Sequence, residues 1–146
     1  TRVRSSAASD VYKRQGVDME FKKLYDIANN LAKEIKIEEH TYISEVAVAL
    51  VSDKDNIYVG RSIKTTCSLG LCAENVAVSN MIINGESVIK KLVAVYQGGK
   101  IISPCGKCRE FLYQINHKNL DCEIMLNLNK IVTLRDLLPA TWSDMK

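Results

Sequence analysis

The tightest constraint on this chain is that two short cysteine motifs, far apart in sequence, make chemical sense only if they meet in space. One is Cys72-Ala73-Glu74 and the other is Pro104-Cys105-Gly106-Lys107-Cys108. Whatever connects them must bring the ends of two elements side by side. If Cys105 and Cys108 lie on the first turn of a helix, their i, i+3 separation turns both sulfurs to one face. Pro104 suits the position just ahead of that turn, and Gly106 leaves room for a close approach. Cys72 opens a second expected helix. Two helix N-termini would then aim partial positive charge at the thiols and favour their ionised form.

Three thiols that can share one ion, with a carboxylate two residues from the first, are the parts of a catalytic zinc site. Structural zinc usually takes four protein ligands, whereas catalytic zinc keeps three and leaves the fourth position open. Cys67, Cys122, His40 and His117 are the candidates for a fourth ligand, and none stands at ligand spacing from either half-motif. Cys67, shortly before Cys72, is the best reserve. A redox Cys-x-x-Cys pair would leave Cys72 and Glu74 without a role. Three thiolates and Zn2+ carry an excess negative charge, so the site also needs dipoles or a cation.

The chain has 146 residues, 47% of them hydrophobic, enough for one domain with a real core. No apolar run approaches the roughly 18 residues that cross a membrane. Free thiols in a metal-like pattern without a secretory signal point to the cytoplasm. The net charge of +3 comes entirely from residues 1–16, where Arg2, Arg4, Lys13 and Arg14 stand against Asp10. The body is neutral, which argues against a polynucleotide partner. Residues 1–18, with their Ser5-Ser6-Ala7-Ala8-Ser9 run, resemble translated sequencing-adapter sequence and are expected to be a disordered, non-native tail. Residues 19–146 are expected to form the single catalytic domain.

From Met19, Phe21, Leu24, Tyr25, Ile27, Ala28, Leu31, Ala32 and Ile35 recur at helical steps, predicting a long helix that ends near Ile37. Val46 to Val51 reads as a strand, residues 52–56 as a turn, and Ile57 to Gly60 as the start of the returning strand. Arg61 to Leu71 reads as loop. Ala73 to Asn84 predicts a helix closed by Asn84-Gly85, and Leu92 to Tyr96 a buried central strand followed by a turn at Gln97 to Lys100. Cys105 to Gln114 predicts a third helix and Cys122 to Leu126 a strand. The chain then turns into Ile131-Val132, and Thr133 caps a short helix through Leu138. The sum is an α/β fold, a three-layer α/β/α sandwich over a mixed sheet.

Cys72-Ala73-Glu74 followed by Pro104-Cys105-Gly106-Lys107-Cys108-Arg109 resembles the zinc signature of the cytidine deaminase family. The likeness extends from about Val46 to Trp142 and includes Ile102-Ser103 and Leu137-Leu138-Pro139. It implies a five-stranded sheet, zinc on Cys72, Cys105 and Cys108, and Glu74 as the catalytic acid–base that is not itself a ligand. It also implies a nucleoside substrate and a homotetramer whose active sites borrow segments from neighbouring subunits. Such an enzyme hydrolyses cytidine or 2'-deoxycytidine to the uracil nucleoside and ammonia, in pyrimidine salvage.

Departures from that family's pattern bear on the substrate. Relatives carry an Asn-x-Glu pair on the second strand that holds the ribose hydroxyls, where this chain has Gly60-Arg61-Ser62-Ile63-Lys64-Thr65 and a loop to Cys72 about one residue shorter. The resemblance places Ser62, Lys64 and Ala73 beside the substrate, with Arg61 or Ile63 as alternatives in the altered stretch. Asn75 stands where many three-cysteine relatives have Arg. Arg109 can take over compensation of the thiolate charge, as in the blasticidin S deaminase branch, or make only a surface ion pair. Trp142 matches a C-terminal aromatic that contacts substrate across subunits, and its alternative is packing against the first helix. The leading expectation is a cytidine/2'-deoxycytidine deaminase. The alternatives are a deaminase of a blasticidin S-like analogue or a modified cytosine, and, more remotely, a noncatalytic zinc-binding module.

Overall fold

A computed structural model describes residues 18–145, so the expectation about the tail falls almost wholly outside the described residues. Asp18, the last residue of that stretch, instead caps the first helix, its carboxylate accepting from the Phe21 N–H at 2.8 Å. This helix, α1 (Met19–Leu31), turns Phe21, Leu24 and Ala28 to one side, where they are fully buried. It stops six residues before the expected end. Beyond Ala32 the chain changes period, and Ile35–Glu38 forms strand β1. Alternating Ile and charged residues fit an extended edge, and pairing with Thr41, Tyr42 and Ile43 outweighs the helical spacing of Ile35.

The remaining elements are β2 (Thr41–Ser52), β3 (Ile57–Lys64), α2 (Ala73–Ile83), β4 (Ile89–Tyr96), β5 (Lys100–Ile102), α3 (Gly106–Ile115), β6 (Glu123–Asn127), β7 (Lys130–Thr133) and α4 (Leu134–Leu137). Short 3-10 turns cover His117–Asp121 and Trp142–Met145. The sheet is mixed and has seven strands, not five. Strands β3-β2-β4-β6-β7 make the frame, with β4 and β6 parallel and the other neighbours antiparallel. The two additions are short: β1 pairs with the start of β2, and β5 folds back on the end of β4. Gly98 and Gly99, both near φ +97, make that second reversal possible.

Each face of the sheet carries its own core, which gives the expected three layers. On one face Phe21, Leu24 and Ala28 of α1 meet Ala47, Ala49, Val51, Val93, Val95 and Met125. On the other, Ala77, Val78 and Met81 of α2 and Leu112 of α3 meet Val48, Leu50, Leu92, Ala94 and Ile124. The alternation along β2 and β4 supplies both sets, because successive residues point to opposite faces. Each fully buried Leu, Ile or Phe contributes about 1.5–3 kcal/mol relative to exposure. Asn119, wholly buried, ties the end of α3 to the start of β4 by donating to Leu112 O and Ser87 O and accepting from the Ile89 N–H.

The position of α2 depends on one glycine. A Cβ at Gly60 of β3 would lie 2.3 Å from the Ala77 nitrogen and 2.4 Å from the Ala73 oxygen, both main chain. The helix thus rests directly on the strand. Its first turn, with Ala73 and Glu74, is brought over the sheet beside the start of α3. Among the described residues no helix is long and apolar enough to cross a membrane.

Candidate active site

Cys72 is the N-cap residue of α2, and Cys105 is the N-cap residue of α3, each with extended backbone angles. Cys108 lies in the first turn of α3 and is buried. The three sulfurs lie within 4.8 Å of one another, so the two half-motifs do converge. Among the described residues no further His, Cys, Asp or Glu joins the group. Cys67 is exposed in the loop before α2, and Cys122 is buried at the edge of β6.

Two helix N-termini therefore face the sulfurs, as the spacing implied. The Cys108 N–H, with that of Lys107, points at the Cys105 sulfur and holds its pKa below the ordinary thiol value. Burial acts the opposite way on Cys108 and, with the nearby Glu74 carboxylate, pushes its pKa up. A soft, partly buried trio of sulfurs at two positive helix ends fits a divalent zinc ion, which would hold all three as thiolates.

Glu74 is one residue into α2, 5% exposed, and its carboxyl lies beside Cys108. Burial raises its pKa above the usual carboxylate range. It opens into a cleft of about 310 Å³ lined by Ser44, Val46, Ser62, Leu71, Cys72, Ala73, Glu74, Ile102, Ser103 and Cys105. A second hollow of about 350 Å³ shares Ser44, Ser62, Leu71 and Cys72 and continues outward past Lys64, Thr65, Ser68 and Gly70. The inner end holds the reactive groups, and the outer end carries hydroxyls and one ammonium.

The other expected residues are placed unevenly. Ala73 is buried and lines the inner cleft. Ser62 lines it too, but its hydroxyl is already engaged, donating to Val46 O and accepting from the Val46 N–H, both at 3.2 Å. It thereby closes the irregularity in the β2–β3 register between Ile43 and Ala47. Lys64 reaches the outer hollow while ion-paired to Glu34 at 3.1 Å. Arg61 to Lys64, expected as loop, belongs to β3, and a bridge between Ile63 and Leu71 closes the loop that leads on to Cys72.

Arg109 is engaged with main chain and a hydroxyl. Among the described residues its guanidinium hydrogen bonds run to Pro104 O, Leu137 O and the Ser103 hydroxyl, with none to a sulfur and no carboxylate partner. The carboxamide oxygen of Asn75 lies 4.0 Å from the Cys108 sulfur instead. Trp142 is 59% exposed and does not line the cleft. Its main-chain N–H donates to Glu110 of α3, on the opposite face of the sheet from α1. Ser44 and Val46 escaped the sequence reading because their approach depends on the register of β2, and Leu71 because it depends on a bridge to Ile63 of β3. Ile102-Ser103, adjoining the second half-motif, was the signal that could have found Ser103.

Comparison with known proteins agrees with this arrangement. The family described as cytidine and deoxycytidylate deaminase zinc-binding region matches residues 19–123. A blasticidin-S deaminase from Bacillus cereus is 29% identical over 97 residues, 59% of this chain but only 62% of that protein, under two thirds of its length. A cytidine deaminase from Sporosarcina psychrophila is 27% identical over 126 residues, covering 81% of this chain and 92% of the relative. Among solved structures, cytidine deaminase from Mycobacterium leprae has the same fold, with a TM-score of 0.70 and 24% identity over 84% of this chain and 100% of that one. The enzyme from Mycobacterium tuberculosis gives 0.71 and 24% over 86% of this chain and 98% of that one.

Proposed function

Because this chain belongs to the cytidine and deoxycytidylate deaminase family, and on that ground is a hydrolytic deaminase, we propose that it converts free cytidine and 2'-deoxycytidine to the uracil nucleosides with release of ammonia. One observation carries the reading: a buried carboxyl, Glu74, beside three converging sulfurs at the inner end of a cleft large enough for a pyrimidine ring. Cys72, Cys105 and Cys108 would hold zinc. Bound zinc supplies the Lewis-acid chemistry that makes water nucleophilic near neutral pH.

The chain's own groups then divide the work. Glu74 takes one proton from the attacking water and gives it to the ring nitrogen, then takes the proton left on the added oxygen and gives it to the departing amino group. The oxygen adds to the ring carbon with the first transfer, and with the second the carbon–nitrogen bond breaks, ammonia leaves and the oxygen stays as a carbonyl. Burial favours the protonated state of Glu74, which suits a group that must hold a proton between two transfers. Val46, Leu71, Ala73 and Ile102 give the inner cleft apolar walls that limit competing water.

A second reading has its own support. Among the residues lining the cleft and the outer hollow, Glu74 is the sole carboxylate, and Glu34 and Glu45, which reach that lining, are already bonded to Lys64 and Ser44. That favours an analogue such as blasticidin S, or a modified cytosine. Ammonia release measured side by side with cytidine, 2'-deoxycytidine, cytosine and blasticidin S separates the two. Activity confined to blasticidin S replaces the first reading with the second, and no ammonia from any zinc-loaded preparation overturns both.

The same proposal includes residues 19–146 as one catalytic domain, a homotetramer and a place in cytoplasmic pyrimidine salvage. Exposed Ile82, Ile83, Leu69 and Trp142 support subunit contacts, and free cysteines support a reducing compartment. Sedimentation analysis of the zinc-loaded protein tests the assembly.

A further inference from the structure

Arg109 stands on the outer side of the first turns of α3, four residues after Cys105, and its main-chain N–H donates to Cys105 O at 2.9 Å. Its side chain joins two separate pieces of chain, the Ser103-Pro104 stretch and the end of α4. Nε donates to Pro104 O at 2.8 Å, Nη2 to the Ser103 hydroxyl at 2.9 Å, and Nη1 to Leu137 O, at the last turn of α4, at 3.1 Å. Ser103 lines the cleft beside Glu74, and Pro104 immediately precedes Cys105. A planar guanidinium with donors in a fixed fork can satisfy three acceptors in three directions, whereas an ammonium offers a point charge without that geometry.

We propose that Arg109 is a positioning residue for the deaminase site. It acts as a latch that fixes the Ser103-Pro104-Cys105 turn against the C-terminal segment, and so sets both the Cys105 sulfur and the cleft wall. It does not touch substrate or sulfur. This differs from a charge-compensating role, in which the positive charge alone would suffice. The proposal rests on the zinc-deaminase reading for its consequences in turnover, but its first readout needs no substrate.

The experiment measures zinc release from the loaded protein to a chelator, using the intact chain and its Arg109→Ala, Arg109→Lys and Ser103→Ala variants. Arg135→Ala is the control, since that arginine pairs on the surface with Asp121. Removing a partner that orients a ligand weakens metal retention by about 10- to 100-fold, the range expected for Arg109→Ala, with Arg109→Lys close to it. Ser103→Ala, which removes one acceptor and keeps the rest, shifts release in the same direction by a smaller factor and raises KM more than it lowers kcat. It keeps the test open if Arg109→Ala does not fold. Wild-type release from Arg109→Ala, or full rescue by Arg109→Lys, overturns the latch; the second result would restore charge compensation. If every variant obeys the expected order of zinc release yet no cytosine compound is deaminated, the functional reading fails and the latch stands.

Discussion

The two ends of the cleft are built by different rules. At the inner end, Cys72, Glu74, Cys105 and Cys108 sit on the first turns or caps of two helices, and those helices rest on a fully packed sheet. At the outer end, Thr65, Ser68 and Gly70 belong to a loop where Cys67 and Ser68 both adopt positive φ, near 59° and 57°, and where Leu69 is 74% exposed. The candidate reactive groups are mounted on regular structure, whereas the outer hollow is shared between strands β2 and β3 and a loop.

The largest effect should come from the inner end. Glu74→Gln keeps the sulfur trio and zinc content while lowering kcat by about 100- to 10,000-fold, as loss of a general acid–base does; near-normal turnover would remove Glu74 from the mechanism. The next tests whether the mounting matters as much as the groups. Gly60→Ala forces main chain apart and should destabilise by about 3 kcal/mol, the upper end for overpacking, in denaturant unfolding. Gly106→Ala is its counterpart, since an added Cβ there meets no atom within 4 Å, and it should stay within about 0.5 kcal/mol.

Smaller effects are expected at the outer end. Lys64→Glu supplies the missing carboxylate, and KM for cytidine should fall by up to about tenfold with kcat little changed, the value of one hydrogen bond. An unaltered KM would move sugar recognition away from this hollow. Ser62→Ala breaks its link to Val46 and should cost about 1 kcal/mol of stability with no change in KM, which separates a strand clasp from a substrate contact.

The far end of the β2–β3 hairpin gives the weakest test. Buried Glu86 accepts hydrogen bonds from Ser52, Tyr58 and Asn56, which hold its pKa below the ordinary 4.5. Its stabilisation is therefore present above that ordinary value and is lost as pH falls through the depressed one. Glu86→Gln should lower Tm at neutral pH, with the gap to wild type closing under acid.

Much of this was legible in the residues themselves. The helix starts at Cys72 and Cys105, the strand at Val46 to Val51 and the capped turn at Thr133 each came from local pattern, and each element formed within a few residues of its expected place. The errors have physical causes. Ile35 continued the helical spacing of α1, yet a partner strand competed for it and won. Lys100–Ile102 is too short to read as a strand, and only the Gly98-Gly99 reversal brings it back to β4. Arg109 follows Cys108 in sequence, yet its side-chain hydrogen bonds run to Pro104, Leu137 and Ser103, because a helix turns successive side chains about 100° apart.

What the residues alone determined is the inventory of reactive groups and the family, because those depend on side-chain type at short spacing. What only the tertiary structure decided is which groups remain available. Ser62 and Arg109 were chemically suitable for the roles first considered, and the fold engages the Ser62 hydroxyl with Val46 and part of the Arg109 guanidinium with Ser103, Pro104 and Leu137. A hydrogen bond made to a distant stretch of backbone leaves no trace in local sequence, and it is that engagement that separates the parts of the site from its supports.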